Sequence, residues 1–304
     1  MSKKTSYLLS ILATILIGTF LYNKVCCQEC CAESQENNIP VVTDNIGMGD
    51  YNIFNLSGNE MNYTCNDNFR FLTNGYNNIL PVSDSINKGI GLLKKYFDKN
   101  TNDKIVITGY ALNSEKNTSA FPNLALARAN DIKSYFVSKG IATNRFELKG
   151  ELRDAWKTNK DTVLGAADFR IMQVDEVAKE KTEDWAALKE KINANPLILY
   201  FNTNQSDINL SVEERQKVAD LVHYLDNVAD SGLNAVGHSD DVGDRKVNTR
   251  LGLDRANFAK EYLTKNGVSG DKITTSSKGP DEPIADNKTD EGKSKNRRTV
   301  VTIK

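Results

Sequence analysis

Three polar side chains near the carboxy terminus have the types and spacing to recognise a small charged ligand. Asp240 closes the run Gly237-His-Ser-Asp240, just past what reads as a strand end, while Asn248 and Arg255 stand seven residues apart. Seven residues are two turns of an α-helix, so Asn248 and Arg255 share one helical face. A loop carboxylate and a helical guanidinium can then converge on one cleft. Such a pair suits a ligand bearing both an ammonium and a carboxylate: the aspartate accepts from the ammonium, and the arginine fork holds the carboxylate. The same two groups could instead close on each other as a salt bridge tying loop to helix, and spacing alone leaves both readings open.

The elements that must position these residues alternate between strand and helix. Leu197 to Phe201 is a short apolar strand, and Thr203 to Ile208 a polar turn. Ser211-Val-Glu-Glu214 has the form of a capping box, with Glu213 and Glu214 in a solvated first turn favoured by the helix dipole. In the helix it opens, Val218, Leu221, Val222 and Leu225 fall at i, i+3, i+4 and i+7, one apolar stripe to lay on a sheet. A strand over 232–237 follows. Val247, Leu251, Phe258 and Tyr262 mark a second helix, stopped by Asn266-Gly267 as a glycine cap. Strands near Ile273 and over 299–303 complete a mixed sheet with helices on one face.

The preceding stretch repeats this plan. Ile105-Val-Ile-Thr-Gly109 matches Leu233 to Gly237, Leu124-Ala-Leu-Ala-Arg-Ala129 matches Leu251-Gly-Leu-Asp-Arg-Ala256, and Ser134 to Ile141 runs parallel to Glu261 to Val268. Residues 67–175 are therefore expected to form a second copy of the fold, joined to 196–304 by a linking helix over 176–195. Trp185, Leu188 and Ile192 recur there at helical spacing.

In order and spacing, several blocks closely resemble the OmpA-like peptidoglycan-binding domain family. They are Phe201-Asn-Thr-Asn-Gln-Ser-Asp-Ile208, Gly237-His-Ser-Asp-Asp-Val-Gly243, Asn248, Leu251 to Ala256, Asp281-Glu-Pro-Ile-Ala-Asp-Asn287 and Gly292-Lys-Ser-Lys-Asn-Arg-Arg298. The match covers essentially all of 197–304. The resemblance implies an α/β fold, here as tandem two-layer sandwiches of βαβαβ type. It also implies that Asp240 and Arg255 hold the amine and carboxylate of diaminopimelate in a peptidoglycan stem. Asn248 and Asn204, with Thr203 in the same turn, match positions lining that pocket. Arg297 and Arg298 match the terminal Asn-Arg-Arg motif, in a supporting and partly structural role. Gly252 stands where a serine is common, Val242 where a polar residue often sits, and Ser277 replaces the first glycine of a usual Gly-x-Gly turn. Loss of the hydroxyl is expected to weaken binding without touching either charged anchor.

The first copy departs further. Alignment on Gly109 puts Leu112 at the Asp240 position, Phe121 at that of Asn248 and Phe169 near that of Arg297, while Arg128 matches Arg255. With the arginine but no carboxylate, this copy is expected not to bind diaminopimelate in the family's way and to act as a spacer or protein-docking module.

Composition narrows the remaining classes. A formal net charge of -1 leaves no global basic field for nucleic acid. His223 and His238, the only histidines, read as a helix-surface residue and a structural strand-end residue. Without a Cys-His pair, a Ser-His-Asp arrangement, a phosphate loop or a metal cluster, no enzyme, cofactor or metal is expected.

No charge occurs from Thr5 to Asn23, Tyr7 and Tyr22 flank the apolar run, and Lys3 and Lys4 precede it. Residues 1–25 are therefore expected to be a transmembrane anchor, or a signal, with everything after residue 25 exported to the periplasm of a Gram-negative-type envelope. Residues 26–66 read as a flexible linker. Its Cys26, Cys27, Cys30 and Cys31 could crosslink copies of the chain through disulfides. The expected function is a tether between membrane and wall. The alternative is a structural subunit of an envelope secretion or motility complex, docked through 67–175. An ion-channel stator is disfavoured, because the apolar run carries no acidic residue for ion transfer.

Overall fold

The computed structural model describes residues 52–58, 60–173, 183–201 and 210–304. The expected membrane segment, the cluster Cys26 to Cys31, and Thr203 and Asn204 lie outside the described residues. Among the described residues no helix is long and apolar enough to cross a membrane.

The chain enters through a hairpin, β1 (Phe54–Ser57) and β2 (Asn62–Cys65), paired antiparallel from Phe54↔Cys65 to Ser57↔Asn62. This stretch was expected to be flexible linker. It belongs to the folded domain instead, because Phe54 and Leu56 point inward at alternate positions and are fully buried. The Phe54 ring meets Phe169 edge to face at 4.9 Å, inside an aromatic core with Phe69 and Phe136.

After β3 (Phe71–Leu72), helix α1 (Asp84–Lys99) starts where the Ser83 side chain accepts from the Ile86 N–H, and it buries Ile86, Ile90, Leu93 and Phe97. Strand β4 (Lys104–Leu112) follows, then α2 (Leu124–Ser138), capped by Asn123, and β5 (Phe146–Arg153). The short pair β6 (Thr158–Asn159) and β7 (Thr162–Val163) joins β3 in a small sheet, and β8 (Ala167–Met172) completes the main one. That main sheet has the order β5-β4-β8, with β5 parallel and β8 antiparallel to β4.

Helix α3 (Trp185–Ala194), capped by Asp184, leads to the second sheet. Here β9 (Leu197–Tyr200), α4 (Val212–Asn227), β10 (Leu233–His238), α5 (Arg245–Lys265), β11 (Ile273–Gly279), α6 (Asp290–Asn296) and β12 (Arg298–Ile303) follow in turn. The strand order is β11-β10-β12-β9, with β10 and β11 parallel and β12 antiparallel to both its neighbours. The capping box is present: the Ser211 hydroxyl accepts from the Glu214 N–H, and the Glu214 carboxylate accepts from the Ser211 N–H at 2.7 Å. Val218, Leu221, Val222 and Leu225 are buried, each stabilising the fold by about 1.5–3 kcal/mol when fully withdrawn from water.

Helix α5 differs from expectation in the face it buries. Val247 and Leu251 are exposed, and the buried stripe is Asn248, Gly252, Ala256, Ala259 and Leu263. The cause is close approach. A Cβ on Gly237 of β10 would lie 1.7 Å from the Gly252 carbonyl oxygen, so only small residues fit where helix crosses strand. The same contact recurs between β4 and α2, where a Cβ on Gly109 would lie 2.1 Å from the Ala125 carbonyl oxygen.

The two sheets share a buried seam. Ala120, Phe121 and Ala127 belong to the same core as Leu199, Leu225 and Val301. Across it the Asn130 amide donates to the Asn266 carbonyl and the Ala120 N–H donates to the Asn266 side-chain oxygen, while Lys133 pairs with Asp226 at 2.6 Å.

Candidate functional site

Strand β10 delivers Asp240 two residues past its end, and the loop that follows is held by α5. Asn248, 2 % exposed, donates from its amide to the Val242 carbonyl at 3.0 Å. One Asp240 oxygen accepts weakly from the Val242 N–H at 3.3 Å, and the other accepts from Arg297 Nη1 at 2.9 Å. Arg255 comes up from α5 behind the same loop and donates from Nη1 to the His238 carbonyl at 2.8 Å. That is its one hydrogen bond among the described residues.

One carboxylate thus stands among two guanidiniums. The salt bridge between Asp240 and Arg255 that spacing leaves open does not form: Asp240 pairs with Arg297. Burial lowers the Arg255 pKa, with the Asp240 charge opposing and the Arg297 charge adding to that effect. A guanidinium stays protonated despite such a shift, so Arg255 is a fixed cation with spare N–H groups. The cluster is half-buried, with Arg297 and Asp240 side chains 17% and 16% exposed, so charge–charge attraction is stronger there than at an open surface.

The Asn-Arg-Arg motif divides its work. Asn296, fully buried, accepts from the Ile284 and Ala285 N–H groups and donates to the Ala285 carbonyl and the Asn287 side chain, folding the loop over 284–287. A Cβ on Gly292 would sit 1.9 Å from the Asp286 carbonyl oxygen, which explains the glycine there. Arg297 enters the site through Asp240. Arg298, buried at 4% exposure, donates to the Glu282 carbonyl at 3.0 Å and holds the loop from beneath. Sequence reading gave Asn296 no role. Its signal was one asparagine before two arginines, and its four partners lie 9 to 12 residues away in sequence.

His238 is buried, and burial first, then the Arg298 charge, pushes its pKa down to about 4. It is neutral at ordinary pH. His223 is exposed on α4 and bonds Glu183 at 2.8 Å.

The two departures at Gly252 and Ser277 meet in space. A Cβ on Gly252 would fall 2.3 Å from the Ser277 Oγ, which accepts from the Gly279 N–H at 3.0 Å. A side chain at 252 and the Ser277 hydroxyl therefore compete for one space.

The earlier sheet makes one matching contact. Arg128 Nη1 donates to the Tyr110 carbonyl at 2.9 Å, as Arg255 does to that of His238. Two residues near this sheet lie elsewhere than their sequence match implies. Strand pairing sets Ala167 opposite Gly109 as Thr299 stands opposite Gly237, so Gly165, not Phe169, occupies the place of Arg297. Phe169 pairs with Ile107 and lies in the core. Phe121 does not sit on a helix as Asn248 does, because α2 begins only at Leu124; it is buried in the seam between the sheets.

Residues 200–297 match the OmpA family. Over 117 residues the chain is 37% identical to Outer membrane protein Omp38 of Acinetobacter baumannii, covering 38% of this chain and 32% of that one. It is 32% identical over 151 residues to Outer membrane protein A of Bordetella avium, covering 50% of this chain and 73% of that one. It is 35% identical over 120 residues to Peptidoglycan-binding protein ArfA of Mycobacterium tuberculosis, covering 39% and 36%. The chain thus spans about a third of the length of the Acinetobacter and Mycobacterium proteins.

Proposed function

The chain belongs to the OmpA family, and we propose that its residues 196–304 bind peptidoglycan non-covalently through the diaminopimelate of the peptide stem, without catalysis. The observation that carries this reading is a half-buried Arg255 with one hydrogen bond among the described residues, beside an Asp240 that it does not neutralise. In this reading Arg255 grips the ligand carboxylate with its remaining N–H groups, and Asp240 accepts from the ligand ammonium through the oxygen that meets only the Val242 N–H. Arg297 fixes Asp240 in place, and Asn248 fixes the loop. Thr203 and Asn204, which lie outside the described residues, are proposed as further ligand contacts.

With two guanidiniums to one carboxylate, the site favours the anionic end of a zwitterion, so Arg255 contributes more than Asp240. Each charge-assisted bond stabilises by about 1.5–3 kcal/mol before ordering costs, which makes one stem a modest ligand. Retention comes from number: a wall presents many stems, and a chain held at a membrane meets them at high effective concentration. The uncharged run Thr5 to Asn23 supplies that membrane end, and the resulting function is a tether in the cell envelope.

Residues 67–175 are proposed to be a second, altered copy of the same fold. A role for them in docking an envelope partner must use a face other than α2, whose Asn130 and Lys133 are engaged by Asn266 and Asp226. Purified sacculi incubated with parent and Arg255→Ala protein test the assignment: the parent sediments with the wall, and the variant stays in solution. Equal sedimentation of both defeats it.

A further inference from the structure

Arg128 is the most completely bonded cation among the described residues. Nε donates to the Gly75 carbonyl at 3.0 Å, Nη1 to the Tyr110 carbonyl at 2.9 Å, and Nη2 to the Leu72 carbonyl at 3.3 Å. Both terminal nitrogens also reach Glu115, at 3.0 and 2.5 Å, in a two-point fork. A guanidinium has five N–H groups, and all five are used. The Glu115 carboxylate is equally satisfied, accepting from the backbone N–H groups of Leu112 at 2.8 Å and Asn74 at 3.0 Å. The side chains of Arg128 and Glu115 are 0% and 1% exposed, and the Phe71 ring lies 5.1 Å from the guanidinium carbon.

We propose that Glu115 is a resident ligand: the arginine seat of the first domain is a carboxylate-binding site occupied by a carboxylate of the same chain. The comparison rests on reading Arg255 as the carboxylate seat of the second domain, since Arg128 and Arg255 make the same bond to the residue after the crossing glycine. There Arg255 keeps spare donors, and here Glu115 takes them. The strap that carries Glu115 is laced to the turn after β3, with the Lys116 N–H and the Thr118 hydroxyl both donating to Asn74. A carboxylate ligand from outside can enter only if that strap lifts. The chain therefore offers one open seat to the wall and one seat closed by its own carboxylate.

Burial raises the Glu115 pKa, but the bonds from Arg128, Leu112 and Asn74 together outweigh it and leave the group below its ordinary value. It is ionised in the folded protein, as a surrogate carboxylate must be.

Chemical rescue tests this on the full chain. Glu115→Ala leaves a charged, buried arginine beside a carboxylate-sized gap. Formate or acetate should raise the melting temperature of this variant by about 3 °C or more over sodium chloride at equal ionic strength, and leave the parent unchanged. Equal response of variant and parent overturns the proposal. If the variant does not fold, Glu115→Gln decides. Its amide NH2 cannot accept from arginine, so it should be less stable than the parent at neutral pH. The gap should close in acid, as the parent's depressed carboxyl is protonated and its contribution is lost. No gap, or a gap independent of pH, overturns the proposal. Both readouts respond to the Arg128 seat, where the substitution lies, whereas sedimentation with sacculi reports on Arg255. Failed rescue with wall binding intact refutes only the resident ligand, and the converse refutes only the wall reading.

Discussion

Replacing Arg255 with alanine removes two kinds of contact whose sizes differ. Within the protein it deletes one bond, from Nη1 to the His238 carbonyl. A bond from a charged donor of this kind stabilises by about 1.5–3 kcal/mol, a loss of several degrees in melting temperature that a folded domain of ordinary stability tolerates. Under the proposed reading it also deletes a fork of two charge-assisted bonds to the ligand, about 3 kcal/mol at the low end, which corresponds to roughly a hundredfold weaker Kd. Lysine at 255 keeps the charge but not the fork and should fall between, at about tenfold. Asp240→Asn should cost less than Arg255→Ala, because Asp240 already shares its charge with Arg297 at 2.9 Å. Isothermal titration with a soluble diaminopimelate-containing stem peptide measures all three, with circular dichroism as the folding control. An Arg255→Ala protein that folds and binds within about threefold of the parent would rule out Arg255 as the carboxylate seat. A larger loss from Asp240→Asn than from Arg255→Ala would reverse the assigned roles.

The spatial exchange between Gly252 and Ser277 predicts that Gly252→Ser alone overpacks the helix–sheet contact and destabilises by about 1–3 kcal/mol. Adding Ser277→Gly should recover most of that in urea melts, as expected of coupled neighbours. His238 stays neutral in the folded chain down to about pH 4, whereas an unfolded histidine protonates near pH 6.5. Stability is therefore lost as pH falls from about 6.5 to about 4, on the order of 3 kcal/mol in all. Urea melts at the two ends of that window should show His238→Gln gaining on the parent by a comparable amount.

What could be read ahead of the structure was whatever rested on local spacing. The Ser211–Glu214 box, the stripe from Val218 to Leu225 and the glycine stop after Asn266 each involve neighbours within two helical turns. Asp240 and Arg255 were legible as residues that a strand end and a helix face bring together, and their separate partners were not. Arg297 reaches Asp240 across 57 residues, and that pairing depends on the register of β12 against β10. The same dependence displaced Phe169, since antiparallel pairing fixes which residue faces a given position and hydropathy does not.

Helix α5 misled because periodicity weights large apolar residues, whereas a crossing at Gly237 selects small ones. The hairpin at 54–65 was hidden among Asn, Ser and Gly, with only Phe54 and Leu56 to mark an inward face. Helix α6 has no apolar stripe at all, and its capping Thr289 was the one local sign of it. Glu115 was invisible for a further reason. It meets Arg128 only once the strap before α2 is folded against the turn at Asn74.

The most direct test exchanges the ligand and leaves the protein intact. Two stem peptides are titrated into the parent chain, identical except that one carries diaminopimelate and the other lysine, which lacks the side-chain carboxylate; the Arg255 Nε–H resonance is followed by NMR. The diaminopimelate peptide should shift that resonance and bind at least about tenfold more tightly than the lysine peptide. Equal affinity for the two peptides, or binding that leaves the Arg255 resonance where it was, would contradict diaminopimelate binding at Arg255.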